Sequence, residues 1–185
     1  IPYLLRQINV PIYGTRLTLG IVENKLREFR LDKTAQLIEV KPGQTVPMDT
    51  MSIEYIHVNH SIADSAAIAI HTPCGTLLHT GDFKIDVTPI QGEMIDLARF
   101  GELGNAGVLA MMCESTNIER PGFPSSERKV GESFSTIFRG ATNKRIIVAT
   151  FASNVDRVQQ IINAAIAFGR KVAVSGRSMV TVLEV

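Results

Sequence analysis

Between Gln36 and Asp82 short apolar segments, "AQLIEV", "MSIEYIHV", "SAAIAIHT" and "TLLHTGDF", alternate with the turn sequences "KPGQT", "NHSIAD" and "PCG". Runs this short, rich in branched residues and bounded by Gly, Pro, Asn and Asp, predict the strands of a sheet. The same region concentrates one chemistry. Residues 57 to 86, "HVNHSIADSAAIAIHTPCGTLLHTGDFKID", hold all four histidines of the 185-residue chain and three of its aspartates. A lone strand histidine is ordinarily a half-buried side chain with one hydrogen bond. Four together, with carboxylates, are also the donor types that a borderline metal such as zinc takes from strand ends and the loops after them. His60 precedes one strand and Asp82 follows the next, across a turn at Pro73-Cys74-Gly75. Antiparallel pairing would bring both to one end of a sheet.

Around this sheet the pattern changes. In "TRLTLGIVENKLREF" Leu19, Val22, Leu26 and Phe29 recur at spacings of three and four. That is the stripe of an amphipathic helix starting near Thr15. "GVLAMMCEST" reads as a buried strand that delivers Glu114 at its C-terminal end, either as a ligand or base or as a capping carboxylate. "NIERPGFPSSERK", residues 117 to 129, has two prolines, a glycine and five charges without apolar period, and predicts a domain boundary. Beyond it "VGESFSTIFRGA" reads as a helix, "KRIIVAT" as a strand, "SNVDRVQQIINAAIAFG" as a helix and "RKVAVSG" as a strand. Ser153 and Asp156 have capping-box spacing and Gly169 closes the long helix. Strand, helix and strand in this order predict a parallel βαβ unit.

The ends of those two strands carry "TFASN" and "SGRSM". Ligands of parallel α/β sheets sit beyond the strand ends, where helix N-termini offer N–H groups to anions. Thr150, Ser153, Ser175, Arg177 and Ser178 would suit phosphate oxygens; the alternative is that the hydroxyls are caps and Arg177 is solvated. Neither GxGxxG nor GxxxxGK[ST] occurs, which argues against a dinucleotide or P-loop site.

Composition bounds the remaining classes. A formal net charge of +1, with 45% hydrophobic and 20% charged residues, fits a globular chain without a polyanion-binding field, so nucleic-acid contact would need a local patch. Cys74 and Cys113 have neither CxxC spacing nor the number for a disulfide framework, which fits a reducing cytoplasm. No apolar run approaches the roughly 18 residues of a membrane span.

"VNHSIADS", "HTGDFKID", "CESTNIERPGFPSSERKVGE", "ATFASNVDRVQQ" and "GRKVAVSGRSM" together closely resemble the ribonuclease J family, metallo-β-lactamase-fold nucleases of the β-CASP group. The resemblance runs from Ile1 to Val185. It implies an α/β fold: part of a metallo-β-lactamase αββα sandwich over residues 1–117, then the start of a β-CASP α/β domain with a parallel βαβ unit over 118–185. His60 would be the zinc histidine of the third motif and Asp82 the aspartate of the fourth motif that bridges two zinc ions. Glu114 would be the first acidic motif of the β-CASP group, catalytic together with Asp82. His57, His71 and His79 would hold the fold or orient the ligands. "TFASN" and "SGRSM" would face RNA across a cleft.

The implied activity is a zinc-dependent 5′-to-3′ exoribonuclease with endonuclease activity in RNA decay and maturation, cytoplasmic, and assembled as a homo-oligomer or with a paralogue. Ala63 stands where a proline is expected, which bears on loop stiffness. The family's HxHxDH signature is absent from the chain and is expected just before Ile1, so the resemblance implies an internal fragment; with only His60 and Asp82 left as ligands where a catalytic zinc takes three, the fragment alone is expected to bind zinc weakly or not at all. The alternatives are another lactamase-fold hydrolase, of a thioester or lactam, and an inactive binding or assembly fragment.

Overall fold

A computed structural model describes residues 1–90, 92–122 and 126–184. After a short helix α1 (Pro2–Leu5), the chain forms β1 (Ile12–Gly14), α2 (Arg16–Glu28) and β2 (Leu37–Glu39), with β1 and β2 paired in parallel. This is a small βαβ unit. Its helix starts after Thr15, as the sequence predicts, and buries Leu19 and Leu26 of the stripe. Leu26 is wholly buried, so truncating it to Ala should cost about 2–5 kcal/mol.

The main sheet follows as β3 (Thr45–Met48), β4 (Met51–His57), β5 (Ala66–Thr72) and β6 (Gly75–His79), antiparallel in sequence order. β5 and β6 meet at a tight turn where Thr72 pairs with Gly75, and Gly75 takes a φ of +136° that a side chain would strain. Helix α3 (Leu97–Ala106) leads into β7 (Val108–Met112), which pairs with β6 in parallel at the sheet edge. Ile56, Val58, Ala67, Ala69, Leu78, Ile95 and Leu103 make the core between sheet and α3.

β7 departs from the buried strand expected of it. Leu109, Met111 and Met112 are exposed, because β7 is an edge strand and nothing among the described residues covers its faces.

The second helical region comprises α4 (Glu127–Gly140), α5 (Val155–Ala167) and α6 (Arg177–Leu183). Phe134, Phe138 and Ala165 form a separate small core where α4 packs on α5. α4 starts a residue after Ser126, whose hydroxyl accepts from Arg128 N, so it reaches into the segment expected as linker; residues 123–125 of that segment lie outside the described residues. The expected Ser153 and Asp156 capping box is not formed. Asn154 is the N-cap of α5, its Oδ1 accepting from Arg157 N at 3.1 Å. Gly169 closes the helix at φ +63°, as expected.

Residues 144–150 and 170–176, expected as strands, form no ladder among the described residues. Their branched residues favour extended chain, but a strand exists only through a paired neighbour. They still flank α5 as the βαβ order requires, lining with it a cavity of about 250 Å³ through Ile146, Val148, Val172 and Val174. The chain is thus mixed α/β, a five-stranded sheet region followed by a helical one.

Candidate metal and phosphate site

The register of β5 and β6 sets the site. It places the segments before β5 and after β6 at one sheet end, where Lys84 N donates to Asn59 O at 2.8 Å. Gly81 makes the turn out of β6 at φ +60°. His60 Nε2 then lies 3.9 Å from Asp82 Oδ2, with side chains 31% and 73% exposed. The structure therefore brings His60 and Asp82 together as their spacing predicts.

His60 also lines a recess of about 160 Å³ with His57, Asp64, Lys84, Asp86, Glu127 and Asp156. Two parts of the chain meet here. Val155 N donates to Ser61 O at 3.2 Å, and Glu127 N to Asp86 Oδ2 at 3.4 Å. Lys84 Nζ stands 3.4 Å from Asp86 Oδ2 and 3.6 Å from Glu127 Oε1. Arg157 grips Glu127 from the other side, Nη2 to Oε1 at 2.7 Å and Nε to Oε2 at 3.2 Å. Burial pushes the Asp86 carboxyl up, but hydrogen bonds from Thr88 N and Ser126, the Lys84 charge and Glu127 N outweigh it and hold Asp86 below its usual range. Asp156 moves the other way: burial raises it, the Glu127 charge adds to this, and Lys84 only partly opposes.

The other histidines have separate partners. His57 Nε2 lies 3.0 Å from Glu93 O, and His79 Nδ1 accepts from Gly81 N at 3.0 Å. His71 Nε2 is 2.8 Å from Glu54 Oε2, while Arg99 clasps the same carboxylate, Nε to Oε1 at 2.6 Å and Nη2 to Oε2 at 3.1 Å. The Arg99 guanidinium holds the Glu54 carboxyl below its usual range against burial, with His71 assisting.

Glu114 sits two residues past β7. Its backbone N donates to Thr80 Oγ1 at 3.2 Å, and its own Oε2 accepts from Thr116 N at 2.8 Å, so it does not line the His60 recess. The hydroxyl set is also divided. Thr150 and Ser175 line the cavity beside α5, where Thr150 Oγ1 is buried without a hydrogen-bond partner among the described residues. Ser153 precedes the α5 cap, and Arg177 and Ser178 are the exposed first residues of α6.

Histidine nitrogen and carboxylate oxygen are the donors that zinc takes, so His60 and Asp82 fit two positions of a coordination sphere. Among the described residues no group of three or more His, Cys, Asp and Glu is placed to hold a metal ion.

A family model described as ribonuclease J, β-CASP domain, matches residues 143–185. Over the whole chain, 186 aligned residues are 47% identical to ribonuclease J of Mycobacterium tuberculosis. The chain is a ribonuclease J homologue. It is also 38% identical to ribonuclease J2 of Bacillus subtilis, over 98% of its own length, and 40% identical to ribonuclease J of Helicobacter pylori over all of it. The chain spans about a third of these relatives: 33% of the first two and 27% of the third. The crystal structure of a protein of unknown function from Enterococcus faecalis V583 matches 91% of the chain and 47% of its own, with a TM-score of 0.64 at 19% identity, which is a likeness of fold.

Sequence reasoning missed Asn59, Lys84, Asp86, Glu127 and Asp156 as parts of the site. The signal available was the charge alternation in "DFKID" and "SSERK", whose partners are about forty residues apart.

Proposed function

We propose that this chain supplies His60 and Asp82 to a two-zinc centre of a ribonuclease that acts 5′ to 3′ on RNA, with endonuclease activity as well, in RNA decay and in maturation such as that of ribosomal RNA in the cytoplasm. One observation carries the reading: the two donors, far apart along the chain, face each other at 3.9 Å on the sheet end of a ribonuclease J homologue. Zinc held there would supply Lewis-acid activation of water and charge neutralisation at the scissile phosphate. His60 would contribute Nε2 and Asp82 its carboxylate to holding the metal. Glu114, its backbone fixed by Thr80 at the ends of β6 and β7, is the candidate for proton transfer. Thr150, Ser153, Ser175, Arg177 and Ser178 would contact phosphates of the RNA, and assembly as a homo-oligomer or with a paralogue belongs to the same proposal.

The test is hydrolysis of 5′-monophosphorylated RNA by the full-length native protein before and after zinc removal. Loss on chelation and recovery with zinc is expected; undiminished hydrolysis in the metal-free protein would contradict the proposal. The reading as a thioester or lactam hydrolase is disfavoured by the homology, and by the α4–α5 unit, which a small substrate does not need. The reading as a binding or assembly piece keeps one observation on its side, the two donors where a catalytic zinc takes three.

A further inference from the structure

Asn59 is a buried amide one residue before His60. Its Nδ2 donates to Glu93 O at 2.8 Å, and its Oδ1 accepts from Ile95 N at 2.9 Å. The orientation is fixed, since a flipped amide would set donor against donor and acceptor against acceptor. Its backbone carbonyl accepts from Lys84 N, two residues beyond Asp82, in an isolated antiparallel bridge. One residue therefore joins the segments that carry His60 and Asp82 to the loop before α3. That loop is itself anchored: Asp96 N donates to His57 O at 3.1 Å, and α3 is tied to β4 by the Arg99–Glu54 pair.

We propose that Asn59 is a positioning residue for the candidate metal site, setting the separation of His60 and Asp82 through its side-chain clasp on the Glu93–Ile95 loop and its backbone bridge to Lys84. The side-chain clasp is what substitution can remove, because the bridge uses only the carbonyl. Without it His60 keeps its place in the chain but loses the support that fixes its backbone against the Asp82 segment. Loss of such a supporting contact typically weakens metal affinity or activity about 10–100-fold. The proposal rests on the reading of His60 and Asp82 as metal ligands.

The experiment is a zinc-affinity measurement by chelator competition on the full-length native protein and its Asn59→Ala, Asn59→Asp and His60→Ala variants, with kcat and KM on 5′-monophosphorylated RNA alongside. Asn59→Ala should weaken zinc binding about 10–100-fold and lower kcat more than it changes KM, with unfolding still cooperative. Asn59→Asp keeps the acceptor for Ile95 N and loses the donor to Glu93 O. Its added negative charge by itself would strengthen cation binding, so weaker binding in this variant reports geometry, and it decides the matter if the alanine variant does not fold. Unchanged zinc affinity in both Asn59 variants, with loss in His60→Ala, would overturn the positioning role and leave the ligand reading standing. Retention of zinc by His60→Ala would overturn both.

Discussion

His60 Nε2 and Asp82 Oδ2 lie 3.9 Å apart, too far for a hydrogen bond, so neither atom is consumed by the other. What holds them there is backbone. The β5–β6 register and the Asn59–Lys84 bridge fix both segments, and His60 Nε2 also lies 3.3 Å from Ser61 Oγ.

Among the described residues His60 and Asp82 are the two donors brought together at this site, and a catalytic zinc takes three protein ligands with an open position. Calorimetric titration of the chain on its own should therefore show weak or no zinc binding, and an RNA assay no hydrolysis. Tight stoichiometric zinc with metal-dependent cleavage would show a completed site.

Glu54 gives the sheet an acid-sensitive tie. Its carboxyl is held below its ordinary value of 4.5 by Arg99, so the stability it contributes is present above that ordinary value and is lost as the pH falls through the lower folded value. Arg99→Ala should cost about 1–3 kcal/mol at neutral pH by leaving a buried carboxylate with His71 alone. Denaturant unfolding of both proteins at pH 7 and pH 3 checks this: the difference should shrink at the lower pH.

The sheet and the meeting of His60 with Asp82 were legible because strand alternation and a tight turn fix register locally. Helix α3 was not, since Gly101 and Gly104 lower its propensity, and what starts it is Asp96 accepting from Arg99 N. β3 was hidden by Pro47, tolerated because the strand lies at the sheet edge. The apolar run of β7 predicts burial, yet burial depends on what covers a strand, which local sequence does not state. The Lys84–Glu127–Arg157 network joins charges distant along the chain, each of which taken singly looks like a solvated surface residue.

Asp156 contributes in the opposite sense to Glu54. Burial and the Glu127 charge raise its carboxyl above the ordinary 3.8, so it destabilises the fold as the pH rises through 3.8 toward the raised value. Asp156→Asn should raise the melting temperature at pH 7 and leave it nearly unchanged at pH 3. A variant less stable at pH 7 would mean that the carboxylate's interaction with the α5 N-terminus outweighs its burial.

Arg177 stands exposed at the first residue of α6. If it contacts an RNA phosphate, Arg177→Ala in the full-length protein should weaken RNA binding and flatten the salt dependence by about one counterion. An identical salt slope would return Arg177 to the solvent.

The central claim is that Asp82 holds the metals. Its side chain is 73% exposed and carries no part of the core, so Asp82→Ala should fold normally. The decisive measurement is zinc content together with hydrolysis of 5′-monophosphorylated RNA in the full-length native protein and its Asp82→Ala variant. The expected result is lost zinc and hydrolysis reduced to background with cooperative unfolding intact; a variant that keeps two zinc ions and full hydrolysis would contradict the claim.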